Sequence, residues 1–102
     1  MSQVITAAQK RYLRGLAHPL KPVILVGGKG VTDALIAELD IALERHELLK
    51  ARVAAEDRET RDAWISDLAE RSGAALVQRV GHIVTLYRAS REKPPQIVMP
   101  RG

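Results

Sequence analysis

The chain of 102 residues contains no cysteine and no phenylalanine. The absence of cysteine excludes disulfides, thiolate metal sites and cysteine nucleophiles. No apolar run exceeds six residues, whereas a helix that crosses a bilayer needs about 20. The N-terminal sequence MSQVITAAQK lacks the basic region and the apolar stretch of a signal peptide. We therefore expect a cytoplasmic domain with its own hydrophobic core and no membrane contact.

Acidic residues are missing from two parts of the chain. Residues 1–32 and 71–91 contain no carboxylate side chain, and eleven of the twelve acidic residues lie between Asp33 and Glu70. The formal net charge is +4. If the two basic segments meet in the fold, they form a surface of one sign that attracts polyanions. The alternative is a solvated, mildly basic surface without a partner. The basic residues of the two segments are Lys10, Arg11, Arg14, Lys21 and Lys29, and Arg71, Arg79, Arg88 and Arg91.

Capping residues and helical spacing predict three helices. Thr6 and Gln9 have the spacing of a capping box at the start of the first helix. Thr32 and Asp57 are N-cap candidates for the second and third helices, and Gly73 suits a left-handed end of the third. The expected apolar faces are Ala8, Tyr12, Leu13 and Leu16 in the first helix, Leu35, Ile36, Leu39, Ala42 and Leu43 in the second, and Trp64, Ile65, Leu68 and Ala69 in the third.

Four strands complete the predicted fold. Residues 22–26 form a short apolar run between proline and glycine, and residues 48–54 alternate apolar side chains with Lys50 and Arg52. Two further strands flank the dipeptide Gly81-His82, which suits a tight hairpin. The order α-β-α-β-α-β-β predicts an α/β (α+β) domain, residues 1–90, with a mixed four-stranded sheet packed on helices. Residues 91–102 contain three prolines and predict an extended or disordered tail.

The segment VILVGGKGVTDALI, residues 23–36, passes from the first strand to the second helix through three glycines. A nucleotide-binding P-loop does not fit, because Lys29 precedes the last glycine and Thr32 comes too late. The dinucleotide fingerprint G-x-G-x-x-G cannot be written from residues 27–32 either. What fits is a G-x-x-G element at a helix start, where small residues and free N–H groups let a phosphodiester backbone approach. The simpler alternative is a turn.

No group of residues assembles an active site in the sequence. His18, His46 and His82 lack metal-ligand spacing, and no serine lies in a nucleophile elbow. His46 suits the negative end of the second helix, while Glu44 and Glu47 beside it are expected to be solvated. We therefore expect neither an enzyme nor a metal site, cofactor or small-molecule substrate.

Several segments, in order and in spacing, resemble the CRM domain family (chloroplast RNA splicing and ribosome maturation) in its small bacterial YhbY-like form. They are TAAQKRYLRGLAH, KPVILVGGKGVTDALIAELDIALERHELLKARV, EDRET and GHIVTLYR, and the resemblance covers residues 3–90. It implies an RNA-binding module, similar in fold to the C-terminal domain of translation initiation factor three. It also implies association with ribosomal RNA in precursors of the large ribosomal subunit, and hence a role in ribosome biogenesis.

The family's G-x-x-G loop corresponds to residues 27–30, and basic residues accompany it in this chain. Aromatic residues are scarce, which favours recognition of RNA backbone and shape over base stacking. We also expect the protein to be a monomer. The alternative function is a protein-interaction module that docks a partner through its acidic helices. The candidate RNA-binding residues are Gly27, Gly28, Lys29, Gly30, Lys10, Arg11, Arg14, Lys21, Lys50 and Arg52.

Overall fold

Each predicted helix begins at the capping residue that the sequence indicates. The structure is a computed structural model that describes residues 4–100. The Thr6 side chain accepts the N–H of Gln9, whose own side chain returns to the N–H of Thr6. The side chains of Thr32 and Asp57 cap the next two helices by accepting the N–H groups of Leu35 and Thr60. Gly73 ends the third helix with φ +73°. The helices are α1 (Ala7–Ala17), α2 (Asp33–His46) and α3 (Arg58–Ser72).

The four strands form one mixed sheet in the order β1-β2-β4-β3. β1 runs parallel to β2, whereas β4 pairs antiparallel with both β2 and β3. Gly81 and His82 form the turn between β3 and β4, as the sequence predicts. The predicted element order and fold class are therefore confirmed. The strands are β1 (Ile24–Val26), β2 (Leu48–Val53), β3 (Ala75–Val80) and β4 (Ile83–Tyr87).

The two faces of the sheet carry different helices. α2 and α3 cover one face, where Leu39, Leu68 and Leu86 are fully buried. Trp64 packs against the same core while half-buried, in agreement with its predicted core role. α1 lies on the opposite face, over a second cluster that includes Tyr87. Because strand side chains alternate between faces, every second residue of β2 and β4 points toward the α1 side, whereas an irregularity between Leu76 and Gln78 interrupts the alternation in β3.

The predicted apolar face of α1 is partly wrong. Leu13 and Ala17 are buried, but Tyr12 and Leu16 are 42% and 40% exposed. The physical reason is that α1 packs on the sheet through one row of residues spaced four apart, so residues beside that row stay at the edge of the contact. α1 consequently covers only part of its face of the sheet, and the remainder is open.

Two glutamates at the C-terminal end of α2 bind the segment that follows β4 through hydrogen bonds. Glu47 is fully buried, and its carboxylate accepts the N–H groups of Ser90, Gln96 and Ile97 at 2.8–2.9 Å. Glu44 accepts the N–H of Arg91 at 2.7 Å. The expectation that both glutamates are solvated is therefore wrong, because the returning chain supplies donors that solvent would otherwise provide.

Residues 91–100 contain no helix or strand. Ile97 and Met99 pack against the core beneath α1, and Gln9 donates a hydrogen bond to the carbonyl of Pro100. The division of the chain at residue 90 stays a prediction, and residues 101–102 lie outside the described part. Within residues 4–100, no helix is long and apolar enough to cross a membrane.

Candidate nucleic-acid interface

The glycine segment between β1 and α2 forms a tight turn with an exposed tip. The N–H of Gly30 donates to the carbonyl of Gly27 at 3.0 Å, which places Gly28 and Lys29 at the two central positions. Both tip residues are exposed. Within residues 4–100 their N–H groups make no hydrogen bond. The tip therefore offers two unused donors and one cation.

The far side of this turn is held by α3. A Cβ built on Gly30 would lie 3.1 Å from the indole carbons of Trp64, and the φ of Gly30 is +73°. Arg71 donates to the carbonyl of Val31 at 2.8 Å and forms an ion pair with Asp33. Sequence reasoning missed Trp64 and Arg71 as residues that position the turn, because both lie more than 30 positions further along the chain.

Gly27 and Gly28 differ from Gly30 in what the fold requires of them. A Cβ on either residue would meet no atom within 4 Å, and neither has a positive φ. The fold therefore requires glycine at Gly30 but leaves these two positions open. They border a depression of about 330 Å³ that is also lined by Leu25 and by Glu38 of α2.

Lys50 and Arg52 lie on the open part of the sheet, on the same side as α1. Arg52 is exposed and pairs in register with Leu25, which itself borders the glycine depression. Lys50 is half-buried, and its Nζ donates to the carbonyls of Leu20 and His18 at 3.1 and 3.5 Å. β2 thus connects the glycine turn to the segment that follows α1.

The basic residues of α1 form a separate group. Lys10, Arg11 and Arg14 are exposed and line a depression of about 350 Å³ with Ile5 and Ala7. This depression and the glycine depression share no residue, so the structure does not bring the two groups into one cleft. Lys21 is exposed in the segment between α1 and β1. A role for these four residues in RNA binding stays a prediction.

Charge pairing divides the cations of the chain. Within residues 4–100, no cation before Arg58 forms an ion pair with a carboxylate, whereas Arg71, Arg79 and Arg88 each do. The second basic segment is therefore largely neutralised by its neighbours and does not extend a surface of one sign. Arg88 is itself buried, bonded to Asp40 and to the carbonyl of Ser72 at 2.8 and 2.7 Å.

Many carboxylates also have hydrogen-bond or ion-pair partners within the domain. Within the described ranges, seven of the twelve acidic residues accept a hydrogen bond through the carboxylate or form an ion pair. These seven include most of the acidic residues of α2. Hydrogen bonds from Arg91 and Ser90 keep the pKa of Glu44 below its ordinary value. The hydrogen bond from Thr60 does the same to the pKa of the N-cap Asp57. The seven residues are Asp33, Asp40, Glu44, Glu47, Asp57, Asp62 and Asp67.

The histidines do not converge. His46 is the last residue of α2, and His18 follows α1. The Nδ1 of His82 lies 2.9 Å from the carbonyl oxygen of Val53. In the part of the chain that the structure describes, no three acidic or histidine side chains form a group that could hold a metal ion.

These features define a class of protein, namely a small mixed α+β domain in which an exposed G-x-x-G turn opens a helix. Residues 5–88 match the CRS1 / YhbY (CRM) domain, and the chain belongs to this family. The resemblance identified from the sequence is thereby confirmed.

Relatives match over nearly the whole chain. A Haemophilus influenzae protein with the name RNA-binding protein is 45% identical over 93 residues, which are 91% of this chain and 94% of that protein. The Bacillus subtilis protein with the name Probable RNA-binding protein YqeI is 38% identical over 97 residues, covering 95% of this chain and all of that one. The solution structure of Staphylococcus aureus SAV1595 superposes with a TM-score of 0.80 at 33% identity, covering 95% of this chain and all of that one.

Proposed function

We propose that the protein binds RNA through the glycine turn and the cations beside it. In this proposal it associates with precursors of the large ribosomal subunit and assists their assembly. The names of the relatives support RNA as the ligand, while the ribosomal role rests on the family resemblance. It acts as a binding protein rather than as an enzyme, as a monomer in the cytoplasm, and without a cofactor.

The observation that carries this proposal is the contrast among the glycines of the turn. Gly30 is explained by its contact with Trp64, but Gly27 and Gly28 face open space and have ordinary backbone angles. A Cβ at either position would project outward, where a phosphodiester backbone could otherwise approach the main chain. The free N–H groups of Gly28 and Lys29 then face that backbone, and the ammonium of Lys29 supplies a charge.

The cations that form no ion pair with a carboxylate in the described part of the chain support the same ligand. Arg52 adjoins the turn through β2, and Lys10, Arg11 and Arg14 form a second, separate group of exposed cations on α1. A cation that has no internal partner is free to replace a counterion on a phosphate, which makes binding depend on salt.

The alternative, a module that docks a protein through its acidic helices, has less support. Asp33, Asp40 and Glu44 of α2 already engage arginines or backbone N–H groups of this chain. A partner that used them would have to break these contacts first. The α2 acid that lacks such a contact within residues 4–100, Glu38, borders the glycine depression.

The salt dependence of binding tests the proposal. A structured ribosomal RNA fragment is titrated against the protein at several salt concentrations, and we expect the logarithm of affinity to fall linearly with the logarithm of salt. The slope is about −0.9 for each phosphate contact in a duplex. An affinity that does not change with salt would contradict it. For the ribosomal role, the protein should sediment with large-subunit precursor particles in a cell lysate and leave them at high salt.

A further inference from the structure

A third depression, called the cleft below, lies on the open part of the sheet, beyond the end of α1. It has a volume of about 310 Å³. Thr85 is buried at its base, while Val80 at its rim is 63% exposed. The residues that line it are His18, Lys50, Gln78, Val80, Ile83 and Thr85.

The chemistry of this cleft is apolar on one side and polar on the other. Val80 and Ile83, opposite one another across the hairpin, form the apolar wall. Gln78 brings an amide that can both donate and accept hydrogen bonds. Lys50 adds a positive charge that the carbonyls of His18 and Leu20 hold in place. None of the lining residues is acidic, so an anionic ligand meets no repulsion there.

The cleft is continuous with the proposed backbone contacts. Lys50 lines the cleft, and Arg52 follows two positions later on the same face of β2. Arg52 in turn pairs with Leu25, which borders the glycine depression. A nucleic-acid strand that left the glycine turn would therefore cross Arg52, which forms no ion pair within residues 4–100, before it reached the cleft.

We propose that the cleft receives the base of an unpaired nucleotide, next to the RNA segment whose backbone contacts the glycine turn. This inference rests on the proposed function. An unpaired base has flat apolar faces and a polar edge, which match the Val80–Ile83 wall and the Gln78 amide. Because that amide presents a donor and an acceptor, several bases can satisfy it, and the cleft favours unpaired over paired RNA without selecting one base. A duplex cannot offer such a base unless it is opened.

The test compares two RNAs with the unmodified protein. One is a blunt hairpin whose two strands are joined by a non-nucleotide linker, so that every base is paired, and the other is the same hairpin with four unpaired nucleotides added at each strand terminus. In anisotropy titrations at one salt concentration, we expect the extended hairpin to bind about fivefold more tightly. This is the low end of the range for a base stacked on an aromatic ring, because the cleft wall is aliphatic. The comparison needs no variant, so a folding defect cannot obscure it.

Substitutions in the cleft test whether the preference for the extended hairpin arises there. Gln78→Ala combined with Val80→Ala should remove the preference and leave the affinity for the blunt hairpin unchanged. The matched control is Leu76→Ala, because Leu76 lies in the same strand and pairs with Leu86, whose side chain is buried on the opposite face of the sheet. This control should keep the full preference. Thermal melts of all variants establish that they are folded.

The outcomes separate the two proposals. If neither hairpin binds, the proposed function is wrong and this inference falls with it. If both bind equally well, RNA binding stands and the base-binding cleft is refuted. A preference that survives the double variant also refutes it. If the amide NMR signals of Gln78 and Ile83 shift on adding a glutamate decapeptide but not on adding the extended hairpin, the cleft is a peptide site and the inference is overturned.

Discussion

The two kinds of glycine in the turn should respond in opposite ways to the same substitution. Gly30→Ala places a Cβ 3.1 Å from the indole of Trp64 on a backbone with φ +73°. The left-handed conformation costs a residue with a Cβ about 1–2 kcal/mol. Crowding in a packed core adds about 1–3 kcal/mol. We expect the free energy of unfolding to fall by about 2–5 kcal/mol, which lowers the melting temperature of a domain of this size by roughly 8–40 °C.

Gly28→Ala is the matched control, because its Cβ would meet nothing within 4 Å. Its free energy of unfolding should stay within about 0.5 kcal/mol of the native value. RNA affinity should nevertheless fall, and Gly28→Asp, which adds bulk and negative charge at the tip, should abolish binding. Well below its melting temperature, Gly30→Ala should bind RNA nearly as the native protein does.

Thermal melts and RNA titrations of the three variants make the comparison. Equal destabilisation by Gly28→Ala and Gly30→Ala would refute the distinction between a position that the fold requires and one that it leaves open. Native affinity in Gly28→Asp would show that the turn connects β1 to α2 and has no contact with RNA.

Three further predictions concern charge. Lys29→Glu should weaken RNA binding while stability stays within about 0.5 kcal/mol; normal affinity would leave the turn without a binding role. Replacing Lys10, Arg11 and Arg14 together with glutamine should reduce the salt slope by up to roughly three, near one per lost phosphate contact; an unchanged slope would mean that this face is merely solvated. The lowered pKa of Glu44 means that its stabilising contribution is present above its ordinary pKa of 4.5 and is lost as the pH falls through the lower folded value. The protection factor of the Arg91 amide, which compares its exchange rate with the intrinsic rate at the same pH, should therefore fall in acid, and an unchanged protection factor would contradict this.

Local patterns predicted the parts of the fold that depend on neighbouring residues. The caps at Thr6, Thr32 and Asp57 use contacts three positions apart, and the alternation of β2 follows from strand geometry alone. The turn at Gly81 is likewise local. The G-x-x-G element could be located in the sequence because it joins two predicted elements.

Contacts between distant parts of the chain could not be predicted in this way. The burial of Glu47 depends on N–H groups 43 to 50 positions later. The hydrogen bond from Arg71 to the carbonyl of Val31 could not be predicted either, because the position of Arg71 within α3 does not indicate which loop it contacts. Spacing also could not divide the glycines of the turn into those that the fold requires and those that it does not, since that distinction depends on the position of Trp64.

The attachment of the turn to α3 has a consequence for the kinetics of association. Because Trp64 and Arg71 hold its base, contacts within the domain fix the base of the turn before any ligand arrives. Binding then loses little conformational entropy at the tip. If the turn binds RNA as proposed, diffusion and attraction to the cations that form no ion pair within residues 4–100 should limit the encounter. The association rate should then fall with salt more than the dissociation rate rises. A surface of this kind can sample many phosphate groups in rapid succession before it settles on one.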